Sequence, residues 1–299
     1  STPAITEVLK IVSKADITVD SFGAGIVASG GSLVRVNSTG DIRAGYRSNG
    51  IMVIGGGVGS EAGPLGTSDV TVISTGNITL DNRGPRAGEG IDLGAFAPPF
   101  QAGIFVANGG VGSVSVQSKG DIRVDGSLRH GIFASADGPA ADEAASVSVK
   151  STGDIATNGT GSSGIYARST YADIQIVSRG NVSSRGPFAD AIHGESDFGG
   201  TVDITTSGNI DAPGDGAYGI YAAGYNDLNI TINGGTVSGG SGDGGSVAFF
   251  AGANNTLVNR GTITGGMSGW AVEGDTLGSD TVEKYGTLSG NVELNLAPS

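Results

Sequence analysis

Val34-Arg35-Val36-Asn37-Ser38-Thr39-Gly40-Asp41-Ile42 sets the pattern for most of the chain: alternating apolar and polar positions, a short polar run, glycine, an acid or amide, and a β-branched residue. The phrase returns over 70–78, 114–122, 147–155, 174–182 and 202–210. Looser copies are Gly235-Thr236-Val237, Gly261-Thr262-Ile263 and Gly286-Thr287-Leu288, and Ala15-Asp16-Ile17 is a degenerate first one, which makes ten. A second phrase follows each copy, as in Gly103-Ile104-Phe105-Val106, Gly131-Ile132-Phe133-Ala134, Gly164-Ile165-Tyr166-Ala167 and Gly219-Ile220-Tyr221-Ala222. Alternation with period two predicts short β-strands, and Gly-Asp or Gly-Asn between them predicts sharp turns that tolerate a positive φ. Helical spacing is suggested only over 5–12.

The repeat length selects the architecture. From Gly153 the key glycine recurs after 27, 28, 27, 26 and 25 residues, at Gly180, Gly208, Gly235, Gly261 and Gly286. Propeller blades need about 40 to 50 residues, and leucine-rich repeats need Leu and Asn at fixed offsets. Three short strands per turn fit, so the expected fold is all-β: a right-handed parallel β-helix of about ten rungs, roughly 48 Å long at the usual strand spacing. Ile17, Ile42, Ile78, Ile122, Ile155, Val182, Ile210, Val237, Ile263 and Leu288 should form one interior ladder. Ile26, Ile51, Ile104, Ile132, Ile165, Ile192, Ile220, Phe249 and Val272 should form another. The 299 residues are expected to form one domain, with loop insertions at 54–69, 81–100 and 135–146, where the rhythm lapses.

Composition narrows the function classes. Lys+Arg 16 against Asp+Glu 29 gives a net charge of -13, which disfavours nucleic acid and anionic membrane as partners. Gly 56 with Pro 9 and no G-X-Y period excludes collagen, and 15% charged residues disfavours a disordered tail. Cys 0 removes disulfides, thiolate ligands and thiol nucleophiles. No apolar run approaches the length of a spanning helix. The opening Ser1-Thr2-Pro3-Ala4 is expected to be the start of a processed or partial chain.

Catalytic signatures are sparse. Outside the first strand, Arg35, Ser115, Ser148, Gln175, Asp203 and Asn229 share one level without paired acids. Asp41, Asp121 and Asp154 recur after the corner glycine beside Asn77, Asn181 and Asn209, and free exchange between acid and amide points to turn chemistry rather than a metal ladder. His130 and His193 sit at different offsets, and Asp190, His193 and Ser196 carry no spacing that indicates a triad. Gly239-Gly240-Ser241-Gly242-Asp243-Gly244-Gly245 is one glycine-rich turn, too little for a stacked calcium site. No cofactor, metal or catalytic residue is expected.

Phe105, Phe133, Tyr166, His193, Tyr221 and Phe250 each follow the inward residue of the second phrase, so alternation turns them outward. Such a stripe is the first candidate surface for a sugar or a partner, against the alternative that aromatics simply ladder within the sheet. Arg83, Arg86 and Phe100 in the second insertion complete the candidate contact residues.

Imperfect rungs with phrases such as Asn259-Arg260-Gly261-Thr262-Ile263-Thr264-Gly265 and Asp280-Thr281-Val282-Glu283-Lys284-Tyr285-Gly286-Thr287-Leu288-Ser289-Gly290 resemble the passenger domains of autotransporters, the type V secreted surface proteins of Gram-negative bacteria. The resemblance covers almost the whole chain. It lacks the alternating C-terminal strands of the family's membrane barrel and the protease subdomain of some passengers. It implies a non-catalytic cell-surface adhesin that contacts host matrix protein, glycan or a cell-surface receptor, with self-association along the rod as a further option. A polysaccharide-degrading lyase or glycosidase on the same fold, and a passive stalk displaying a binding region elsewhere, are the alternatives.

Overall fold

A computed structural model describes residues 8–31, 33–56, 69–81, 101–138, 145–274 and 278–294. Its 30 strands form three parallel sheets of ten. Each strand pairs with the one three positions later, so the chain lays one strand in each sheet and climbs one rung per circuit. The result is a right-handed parallel β-helix, the hand that twisted strands favour for parallel crossovers. The first sheet runs from Val8–Ser13 to Ser279–Lys284, the second from Ile17–Ser21 to Thr287–Ser289, the third from Ala24–Gly30 to Asn291–Glu293. Among the described residues there is no helix, and 8–12, where helical spacing was suggested, lies in the edge strand of the first sheet.

The interior is a stack of β-branched side chains. Ile42, Ile78, Ile122, Ile155, Val182, Ile210, Val237 and Ile263 pair in strict register and are 0–1% exposed, while Ile17 and Leu288 at the ends are half-buried. Each buried Ile contributes about 1.5–3 kcal/mol by removal from water, so this column is a major source of cohesion. The third-sheet ladder departs from expectation at one rung: Ile220 is followed by Val247, not Phe249, and Val247 by Val272. Ser246 takes the corner place of Gly219, with Ile220 N–H donating to its carbonyl at 2.8 Å. The phrase therefore starts two residues earlier than the aromatic pair suggests. Phe249 stays inside, 2% exposed, one column on and above Ala222.

The corner glycines serve close stacking rather than a left-handed turn. Gly40, Gly76, Gly120, Gly153, Gly180 and Gly208 do not have positive φ. A Cβ at any of them would drive into the backbone carbonyl of the rung before, Gly153 into Gly120 for example. The following Asp and Asn also act between rungs, not on their own backbone as turn chemistry suggests. Asp41 Oδ1 accepts from Asn77 N–H (2.8 Å), Asn77 Oδ1 from Asp121 N–H (2.9 Å) and Asp121 Oδ1 from Asp154 N–H (2.9 Å). Asp154 and Asn181 continue the series to Asn181 and Asn209. Only an Oδ1 acceptor is required, which explains why acid and amide interchange.

Strands Asn49–Gly55 and Arg129–Ala136 extend into the first and third expected insertions, and Ser146–Ser151 begins inside the end of the third. Those boundaries shift because register pairing with the adjacent rungs continues through Ile54-Gly55 and Ser135-Ala136. Residues 57–68, 82–100 and 139–144, and with them Arg83, Arg86 and Phe100, lie outside the described residues.

Candidate functional site

The outer face of the third sheet carries the aromatic column. Met52, Phe105, Phe133, Tyr166, His193 and Tyr221 are register partners in successive rungs. One residue per rung at a fixed offset puts their rings one strand spacing apart, which is stacking distance. Ring centroids are 4.9 Å apart for Phe105–Phe133, 5.6 Å for Phe133–Tyr166, 4.5 Å for Tyr166–His193 and 4.6 Å for His193–Tyr221, with interplanar angles of 6°, 4°, 19° and 25°. The faces are thus occupied by one another. Phe105 and Phe133 are 7% exposed and form a small apolar cluster with Ala102 on the outer face, separate from the interior core. They offer no stacking face to a ligand.

Phe250 departs from the expected column: it pairs with Ala223, and Ala248 stands above Tyr221. The cause is the two-residue shift at Ser246. Its exposed ring still lies 6.3 Å from that of Tyr221.

Around the half-buried middle of the column the fold assembles a polar cluster. Strand alternation points His193 and Glu195 outward together, while Ser196 points inward, fully buried, with its hydroxyl donating to the Ala172 carbonyl (3.3 Å) and the Gly199 carbonyl. Asp190, His193 and Ser196 therefore make no triad. Instead His193 Nδ1 donates to Asp190 Oδ2 at 2.7 Å, and its Nε2 faces Glu195 Oε2 at 3.6 Å, an ion-pair distance. Tyr166 Oη–H donates to Glu195 Oε2 at 3.1 Å, and Arg168 donates to Asp197 Oδ2 at 2.8 Å. Asp190 Oδ1 meanwhile accepts Tyr218 N–H from the next rung at 2.7 Å.

These contacts set the protonation states. Burial pulls His193 down, but the bond to Asp190 and the Glu195 carboxylate outweigh it and raise the imidazole to about 9. The His193 imidazolium brings Glu195 down to about 2, against the effect of burial. His130 behaves oppositely: burial first, then repulsion from His193, lowers it to about 4. Geometry agrees, since His130 Nδ1 accepts Ser163 N–H at 3.2 Å and must be unprotonated to do so. Burial and the Glu195 charge raise the Tyr166 phenol, which stays protonated.

A pocket of about 200 Å³ opens at this point, lined by His130, Phe133, Tyr166 and His193 of the strands, Ser163 and Asp190 of the turns before them, and Arg168 and Phe188 at its rim. The first sheet's outer columns hold no stacked acids, whereas the third sheet's hold Glu195 beside Arg168 as register partners. That juxtaposition was legible from alternation plus the repeat, but Asp190 and Phe188, though they recur at the rung spacing, lie in turns where alternation does not assign a side-chain direction. Among the described residues, no group of three or more His, Cys, Asp or Glu is arranged to hold a metal ion.

Family models, curated proteins and solved structures contain no match to the chain.

Proposed function

We propose that the chain is a non-catalytic adhesin of the autotransporter-passenger kind, displayed on a Gram-negative cell surface, whose β-helix binds host glycan, matrix protein or a cell-surface receptor through its sides. The observation that carries the reading is the third sheet's outer face, where a rigid ladder of rings leads into an open pocket walled by polar groups. Rigid repeat scaffolds commonly place recognition on such a face.

The protonation pattern favours binding over turnover. His193 has Nδ1 bonded to Asp190 and is held as an imidazolium, with Nε2 3.6 Å from Glu195; His130 uses its Nδ1 lone pair on Ser163 N–H, and Ser196 is turned into the core. None of the three is disposed to take a proton from a substrate. Binding of the purified chain to a panel of matrix proteins, glycans and host cells tests the proposal. Saturable binding supports it. Release of new reducing ends or unsaturated products from polysaccharides would replace it with an enzyme, and absence of binding by the folded chain would replace it with a passive stalk.

A further inference from the structure

Phe188 stands at a corner where the backbone turns left-handed in several rungs. Its φ is 53°, in the left-handed region that a bulky side chain rarely adopts, and it is 67% exposed. Gly161 in the rung before and Gly216 in the rung after occupy the equivalent corner position with φ of 64° and 63°. Phe22, Arg47 and Leu128, each likewise four residues before an inward Ile of the third sheet, hold the same corner with φ of 54°, 52° and 56°, so the position takes bulky residues and glycine alike. At Phe188 the corner presents a largely exposed aromatic ring. Gly216 leaves space beneath the ring, where a Cβ would collide with its edge.

Beside that ring lies the pocket of about 200 Å³. By the volume a water takes in the liquid, it holds on the order of seven waters, the scale of a single sugar ring. His193 stands between Asp190 and Glu195, and Arg168 is paired with Asp197, so two cations face three carboxylates. No surplus cation waits for an anionic ligand, and a chain of net charge -13 repels one. Yet the wall keeps directional capacity, because each Asp190 oxygen accepts one hydrogen bond and has a second lone pair, and Arg168 has further N–H donors. An exposed aromatic ring next to a dense set of donors and acceptors with no surplus positive charge fits a neutral ligand with an apolar C–H face and a rim of hydroxyls.

We infer that the pocket between Phe188, Arg168 and Asp190 binds one neutral pyranose unit of a glycan, with Phe188 against its C–H face and the polar wall holding its hydroxyls. This rests on the adhesin reading and names its site and ligand class.

Saturation-transfer NMR with the methyl pyranosides of glucose, galactose, mannose and N-acetylglucosamine, and with glucuronate as the acidic arm, tests it. Phe188→Gly removes the ring yet keeps a residue its neighbouring rungs already use, so the fold should survive; Arg168→Ala, at a side chain 44% exposed, is the second variant. Expected are transfer to at least one neutral pyranoside, none to glucuronate, and affinity at least ten-fold weaker in both variants. Sugar binding unchanged in both variants, a preference for glucuronate, or no pyranoside bound by a chain that still adheres to cells would overturn the pocket and leave the adhesin reading standing. No binding to sugars, matrix or cells would remove both.

Discussion

The two histidines should titrate on opposite sides of their ordinary value, His193 at about 9 and His130 at about 4. The signs follow from what each touches. His193 is charged between Asp190 and Glu195, with Tyr166 and Tyr221 covering its faces, and a raised pKa means that folding favours the proton. Its contribution is fully present below about 6.5, the unfolded value, and is lost as pH rises through about 9. At 1.36 kcal/mol per unit, the shift corresponds to about 3 kcal/mol. His130 carries a similar magnitude with opposite sign: protonating it displaces the Ser163 N–H bond, so stability falls as pH drops from about 6.5 toward 4. Since the chain contains His 2, an NMR titration shows one imidazole signal for each. His193→Phe keeps a ring between Tyr166 and Tyr221, identifies the high-pKa signal by its loss, and should abolish the fall in denaturation free energy between pH 6.5 and 9. Two signals titrating together near 6.5, or an alkaline profile unaffected by His193→Phe, would refute the imidazolium between carboxylates.

Gly153→Ala should lower the denaturation midpoint sharply or prevent folding, because its Cβ would enter the Gly120 carbonyl; a midpoint within error of wild type would mean the rungs can part there at no cost. Asn181→Ala leaves Asn209 N–H without its 2.9 Å acceptor at an exposed site and should cost about 1 kcal/mol in urea denaturation, whereas Asn181→Asp should be close to neutral. Ile155→Ala empties a 1% exposed place in the interior column and should cost about 2–5 kcal/mol by the same measurement. In a chain with Cys 0, Tyr221→Cys with Ala248→Cys should form a disulfide on oxidation, and Tyr221→Cys with Phe250→Cys should not, which checks the shifted register by mass spectrometry.

The rungs were legible because two periods coincide in the sequence. Alternation within Val34-Arg35-Val36 assigns strand and inward face, and recurrence of the corner phrase, Gly then Asp, Asn or Thr then an aliphatic residue, assigns the stack. The column from Ile17 to Leu288 follows position by position for that reason. The prediction slipped where identity misled: Phe249-Phe250 resembles Phe133 and Tyr221 in type, but the strand register is set by the corner, and Ser246 places the corner two residues earlier. Corner glycines and their Asp or Asn were legible as structural, although the mechanism is contact between rungs, a separation of 25 to 44 residues that no local turn rule contains. The aromatic column was visible, but its exposure was not. Stacked rings hide one another's faces, and this occlusion depends on the rung spacing rather than on any one residue. The pocket depends on turn residues Asp190 and Phe188, whose placement only the fold supplies.

Along the outer column the side chains change character in one direction: Val27, Met52, Phe105 and Phe133, then Tyr166, His193 and Tyr221, and finally Ala248 and Glu273. The inward column beside it stays Ile or Val throughout those rungs. One face of the sheet thus holds the stack while the other is free to vary, and each rung touches little beyond its immediate neighbours. Phe105 and Phe133 close over each other at 7% exposure, while Val27 at the head of the column is exposed, and the polar continuation stays open where Asp190, Glu195 and Arg168 reach the surface. A change at Phe188 or Arg168 alters what the pocket offers without touching a buried Ile. Loss of binding in such variants, with the denaturation profile preserved, would therefore report on recognition and not on the helix that carries it.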